Sequence, residues 1–371
     1  MTQQAVEMLS RMFRHVRILS LLVCVLWISL THASNIEDAV WISATNEVAT
    51  ALGLTHITCD TNGVLLSNAC HAVHMVPGKR NVTVDGVSVW FHVPPHDLAS
   101  NDLCHMPRVD FESMLKPILL STQAPMAHLC IVLDPGHGGD DTGARSPESA
   151  TLEKHVALDI AQRTAAHLQA AGQEVHLTRT NDVYITLGDR THIAANLHAQ
   201  VFVSIHANFT PFNSFASGVE TYAMTAPGYP GTAENSQNTS ESFSGNGFDA
   251  LNAVLGYAIQ RRCLPFASMD RGLKRARYHV LREASCPAVL VECGFLSNTN
   301  DTAHLSSEAF REQLAGAIAN GILDYAQLAL PVDTHAATPI VRITSSLTTN
   351  ATASAATPIT NAVPQAESTT I

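Results

Sequence analysis

Apolar positions recur with two different periods between residues 128 and 329, and the changes between them outline the fold. HLCIVLD (128–134) is a short apolar run halted by a Gly/Asp-rich loop, which predicts a buried strand. Val156, Ile160, Ala161, Ala165 and Leu168 then follow helical spacing, predicting a helix over 153–171 that Gly172 stops. EVHLTR (174–179), VFVSIHA (201–207), GVETYAM (218–224) and AVLVECG (288–294) read as further strands. Helical patterns occupy 187–198, 248–262 and 307–328. Strands alternating with helices predict an α/β domain around a largely parallel sheet.

The flanks read differently. Residues 34–127 form a small β-rich accessory region, in which NVTVDGVSVWFHV (81–93) places a hairpin turn at Asp85-Gly86 and Pro94-Pro95 end the run. Residues 330–371, rich in Thr, Ala, Pro and Ser, read as a disordered tail. At the other end, Arg11, Arg14, His15 and Arg17 precede the apolar run ILSLLVCVLWISL (18–30) and then THAS. That order predicts a signal peptide over 1–33, cleaved after Ala33. The run is too short for a stable membrane span, which needs about 20 residues. A periplasmic or otherwise exported protein is expected.

Composition narrows the partners. The net charge of −11 and the absence of a sizeable basic patch argue against nucleic acid. Seven cysteines lie beyond the signal, with no CxxC spacing. Cys59 and Cys70 are the disulfide candidates, while Cys130, Cys286 and Cys293 sit in or beside apolar runs and read as buried.

Candidate chemistry collects at the strand ends, where open α/β sheets bind ligands. His137 sits between Gly136 and Gly138, in a loop with no packing role for an imidazole. His206 ends an apolar strand. Glu153 falls in the first turn of a helix, where it either offsets the dipole or completes a His₂Glu zinc site. Glu292 follows AVLV, and a carboxylate in a buried strand needs compensation, from a metal centre or from a salt bridge to Arg190 or Arg282. As a second carboxylate beside a metal site, Glu292 could take a proton from attacking water and pass it to a leaving nitrogen. HExxH, GxSxG and GxxxxGK[ST] are absent.

LDPGHGGDDTGA (133–144), TLEKHVALDIA (151–161), TRTNDVYITLGDR (178–190), SIHAN (204–208), RGLKRARYHVLR (271–282) and PAVLVECGFLSN (287–298) resemble, in this order, the zinc-dependent N-acetylmuramoyl-L-alanine amidases. The chain is most similar to cell-wall amidases of the cell-separation type, over about 128–329. The resemblance implies a single α/β catalytic domain, a mostly parallel twisted sheet between helices. It also implies His137, Glu153 and His206 as ligands of one zinc ion and Glu292 as the catalytic glutamate. The implied reaction is hydrolysis of the amide between N-acetylmuramic acid and the L-alanine of the peptidoglycan stem peptide. Asn208, Arg190 and Lys274 are candidates for substrate contact or for orienting the ligands. Arg190 is equally a structural partner on its helix, and Asn208 a turn residue.

Two departures and two rivals stand beside this reading. Family members of this type often carry an inhibitory helix after the SIHAN block, whereas 225–247 here is rich in Gly, Ser and Asn. An open site that needs no protein activator is therefore expected. Residues 34–127 do not match the family's targeting module. Ser113 and Lys116 have the SxxK spacing of a serine peptidase, and Ser244-Gly245-Asn246 the SxN spacing, but no KTG accompanies them. A peptidoglycan peptidase and a non-catalytic wall-binding protein are the alternatives.

Overall fold

The computed structural model describes residues 40–96, 104–124, 127–211, 213–232 and 240–329. The export segment and the tail expectation lie outside the described residues. Five strands open the large sheet: β1 (His56–Asp60), β2 (Gly63–Ser67), β3 (Ala72–Met75), β4 (Asn81–Val84) and β5 (Val87–Trp90). They form an antiparallel meander. Between β4 and β5, Asp85 and Gly86 both have positive φ (47° and 83°), the conformation a two-residue hairpin with right-twisting strands requires. Cys59 lies on β1 and Cys70 in the turn before β3, and the two are not joined by a disulfide.

The strands β6 (Cys130–Pro135), β7 (Glu174–Leu177), β8 (Val201–Asn208), β9 (Val219–Met224), β10 (Asp270–Ala276) and β11 (Ala288–Phe295) complete it. The order is β7-β6-β8-β11-β9-β10-β5-β4-β3-β2-β1, eleven strands in one sheet. The α/β part is mostly parallel, with one reversal, between β11 and β9. The reversal has a simple cause. The described residues among 209–218, between β8 and β9, hold no helix, and a parallel return needs a crossover of a dozen residues or more.

β10 also pairs with β5, through Leu273 and Val89, so the N-terminal strands extend the α/β sheet. The sequence reading missed β10. RGLKRA carries three cations in six residues and hides the alternation of a strand, yet Leu273 and Arg275 are both fully covered.

Helices α1 (Glu153–Ala170), α2 (Leu187–Asn196), α3 (Asp249–Cys263), α4 (Thr299–Ser306) and α5 (Glu308–Ala326) cover the sheet. Val156, Ile160, Leu168, Ile259, Leu314 and Ile318 pack with Ile131, Val203 and Val291 on one face. Val132, Phe202 and Leu290 face the other layer, with Ala194 of α2 and Val280 and Leu281. Strands covered on both sides explain the continuous apolar runs. α4 was also missed. It is mostly polar, with Leu305 its one large apolar residue, and is set by its cap, Asn298, whose side chain accepts from the backbone N–H groups of Asn300 and Asp301. Among the described residues no helix is long and apolar enough to cross a membrane.

Candidate metal centre and active site

The loop after β6 delivers His137 in a left-handed conformation, φ 58°, unusual for a non-glycine residue and concentrated at functional sites. Two buried arginines hold it there. Arg190 of α2 donates to Asp134 Oδ1 (2.7 Å), to the carbonyl of Pro135 (2.7 Å) and to that of His137 (2.9 Å). Arg179 donates to the carbonyls of Pro135 (3.0 Å) and Gly136 (2.7 Å). The carbonyls of Pro135, Gly136 and His137 are thus satisfied by guanidinium groups instead of by regular structure.

Glu153 is the first residue of α1 and is 2% exposed. Its Oε1 lies 2.8 Å from His206 Nδ1 and 3.2 Å from His137 Nε2. Ala207 N–H donates to the same oxygen and Ala144 N–H to Oε2. The two imidazoles meet edge to face, ring centres 5.0 Å apart. Burial alone would push the Glu153 carboxyl up, but the two imidazoles beside it hold it well below the usual range. His137 is also buried, which opposes charging, yet Glu153 and Asp141 together raise its pKa.

Donor atoms of His137, Glu153 and His206 lie within 4.8 Å of one another, close enough for one metal ion. The fit is specific. His137 Nδ1 is engaged by Asp141 Oδ2 at 2.9 Å, which turns Nε2 toward the cluster, and that buried nitrogen has no hydrogen-bond partner. A carboxylate on the far nitrogen is the usual device for orienting a metal-binding imidazole. The loop is also carved to size. A Cβ at Gly136 would stand 2.3 Å from His206 Cε1, and one at Gly143 would stand 2.5 Å from Glu153 Oε2. Two imidazoles and one carboxylate match the donor set of a catalytic zinc centre.

Glu292 lies opposite His206 in the β8–β11 register, and a bulge follows between His206 and Asn208. It is 6% exposed, and its Oε2 has no hydrogen-bond partner. Burial raises its pKa well above the usual value, Glu153 and Glu220 push the same way, and Lys274 opposes them. Neither arginine offered as a salt-bridge partner reaches it. Arg190 is spent on Asp134 and the loop, and Arg282 lies beside Glu283 and His279.

The other candidates take separate positions. Asn208 donates to Glu220 Oε1 (2.7 Å) and accepts from Phe209 N–H, so it does not bond a ligand ring. Lys274 bonds Glu220. Ser113 donates to the carbonyl of Val109, one turn back, while Lys116 pairs with Glu112. Asn246 bonds the carbonyl of Thr225 and Asp249. Of the loop expected to leave the site open, 233–239 lie outside the described residues. The adjoining 225–232 are tied down, with Arg277 on the carbonyls of Ala226 and Tyr229 and Arg80 on those of Pro230 and Gly231.

Sequence reasoning missed Asp141 and Glu220. Glu220 gave the same signal as Glu292, an acid inside the apolar run GVETYAM. Asp141 is one of three acids in an exposed-looking loop and gave none. A second group with metal-binding chemistry, Cys130, Glu174 and His176, lies on the edge strand β7 and its neighbour β6. There Cys130 keeps its proton, with burial and Glu174 both raising its pKa, and donates to the carbonyl of Leu197.

Residues 131–324, just over half the chain, match the family described as N-acetylmuramoyl-L-alanine amidase. The chain belongs to this family. It is 35% identical over 220 residues to N-acetylmuramoyl-L-alanine amidase AmiA of Salmonella typhimurium, covering 53% of this chain and 75% of that one. It is 37% identical over 219 residues to AmiC of Neisseria meningitidis, covering 53% and 52%. Against LytC of Bacillus subtilis the identity is 35% over 201 residues, covering 54% and 36%. The chain thus spans about half of one of these relatives and about a third of another. Among solved structures, AmiC2 of Nostoc punctiforme aligns at 34% identity and a TM-score of 0.46, over 55% of this chain and 99% of that one.

Proposed function

We propose that residues 128–329 form the catalytic domain of an exported zinc amidase, which hydrolyses the bond between N-acetylmuramic acid and the L-alanine of the stem peptide. The strands within residues 56–90 serve as an extension of its sheet. The observation that carries this reading is an orphaned, buried carboxyl, Glu292, one strand away from a His–Glu–His cluster inside the family-matching segment.

His137, Glu153 and His206 would hold the ion. When bound, zinc supplies Lewis acidity to the amide carbonyl and to the attacking water. Asp141 orients His137, and Arg190 and Arg179 fix the backbone from which it projects. Glu292 accepts the proton of the attacking water. The same carboxyl then passes that proton to the departing nitrogen. Among the described residues no other buried carboxyl is left unpaired.

Digestion of purified peptidoglycan tests the activity. Mass analysis should find free peptides with N-terminal L-alanine alongside intact glycan. Shortened stems still attached to muramic acid would instead indicate peptidase action and sink the proposal.

A further inference from the structure

Beyond Glu292 lies a second set of buried side chains that the reaction above does not use. Glu220 on β9 faces Glu292 directly across the antiparallel pair and is 1% exposed. Its Oε1 accepts from Asn208 and from the Tyr222 hydroxyl (2.8 Å), and its Oε2 accepts from Arg271 Nε (2.6 Å) and from Lys274 Nζ. Burial opposes ionisation there, but the two cations hold the Glu220 carboxyl below its usual range. One carboxylate therefore serves two cations.

Arg271 is held in an unusual way. Glu220 takes Nε, the Phe295 ring lies beneath the guanidinium at 4.7 Å, and Trp90 donates to the Arg271 carbonyl. Its two terminal nitrogens make no hydrogen bond with the described residues, and the side chain is 26% exposed. A guanidinium fixed from behind, with its outer fork open, is the geometry that receives a carboxylate through two parallel bonds. Lys274 adds an ammonium nearby, 5.6 Å from the Tyr222 ring and 5.7 Å from that of Trp90.

The order of groups across the sheet gives this fork a ligand. The His–Glu–His cluster lies at β6 and β8, Glu292 on β11, Glu220 on β9, and Arg271 and Lys274 on β10. With the amide carbonyl at the cluster and its nitrogen at Glu292, the departing peptide runs over β9 and β10. Neighbouring strands are about 4.8 Å apart, so the fork stands roughly 10 Å beyond Glu292. An extended peptide covers that in about two to three residues, fewer once the Arg271 side chain reaches back. We propose that Arg271, seated on Glu220 and Phe295, binds a carboxylate within the first residues of the departing peptide, and so makes this chain selective for acidic peptides over amidated ones. The proposal rests on the amidase reading for the direction in which the peptide leaves.

Two measurements test it separately from that reading. Calorimetry on the metal-free protein compares the dipeptides L-alanyl-glutamate and L-alanyl-glutamine, each blocked as its C-terminal amide so that the side-chain carboxyl is the one difference in charge. The acid should bind about tenfold tighter, as hydrogen bonds to a charged partner imply. In Arg271→Gln that difference should vanish, and in Arg271→Lys it should return in part. With metal present, muramoyl substrates carrying the same two peptides should differ by about tenfold in KM for the wild type, and Arg271→Gln should lose the difference through KM. Equal binding of the two dipeptides, or a preference kept by Arg271→Gln, overturns the anchor whatever the activity. A preference for the acid without cleavage of either substrate supports the anchor and overturns the amidase reading.

Discussion

At the scale of single residues, the site consists of groups that would be unstable elsewhere. Glu292 is buried without a partner, and His137 has a backbone conformation that its side chain disfavours. Both were legible, because a carboxylate in AVLVECG and an imidazole between glycines contradict the packing rules around them. Asp141 was not, since one acid among several in a Gly-rich loop breaks no rule. The Glu292 carboxyl binds its proton more tightly in the folded chain than in the unfolded one. Its contribution to stability is therefore complete below the ordinary glutamate pKa, about 4.3, and is lost as pH rises through the higher folded value. Metal-free Glu292→Gln should consequently outlast metal-free wild type in thermal unfolding at neutral pH, with the gap closing near pH 4. A gap that does not change with pH would mean that the carboxyl is not desolvated. His137→Ala and His206→Ala should each lose bound metal, whereas Asp141→Asn should keep it with affinity lowered about 10–100-fold.

The elements place these groups by means that sequence periodicity reveals unevenly. β6, β8, β11 and α1 announce themselves through apolar runs and helical spacing, and they carry the cluster and Glu292. β10 and α4 do not, since one is rich in cations turned to the site or held inside, and the other depends on a cap. The loop from β6 to α1 depends on glycine where space is shortest. Gly143 combines φ +61° with a Cβ position 2.6 Å from His137 Cδ2. Gly143→Ala should therefore displace His137 or Glu153 and weaken metal binding by at least an order of magnitude, while the far-UV spectrum stays native-like. Unchanged metal affinity in that variant would show that the loop has slack. Arg190→Ala removes three bonds beneath the same loop and should lower stability by about 3–5 kcal/mol, because Asp134 is left buried with less compensation.

For the whole molecule, the sheet does not stop where the sequence pattern changes. The joint between β10 and β5 brings together residues almost two hundred positions apart, and no local period encodes such a pairing. Tyr257 of α3 reinforces it by donating to the carbonyl of Val84, and Val254 and Ala253 pack into the N-terminal core. Trp41 and Trp90 are the tryptophans among the described residues, and both lie in the N-terminal part, whereas helix signal comes mainly from residues 153–326. Denaturation followed by tryptophan fluorescence and by far-UV circular dichroism should give one coincident transition. Separate midpoints would show that the two parts fold independently.

The most direct test pairs metal content with peptide release in wild type and Glu292→Gln. About one zinc per chain is expected in both proteins, with free L-alanine-terminated stem peptides released by the wild type and a loss of about 10²–10⁴-fold in the variant. A Glu292→Gln protein that binds zinc and releases peptide at the wild-type rate would contradict the account.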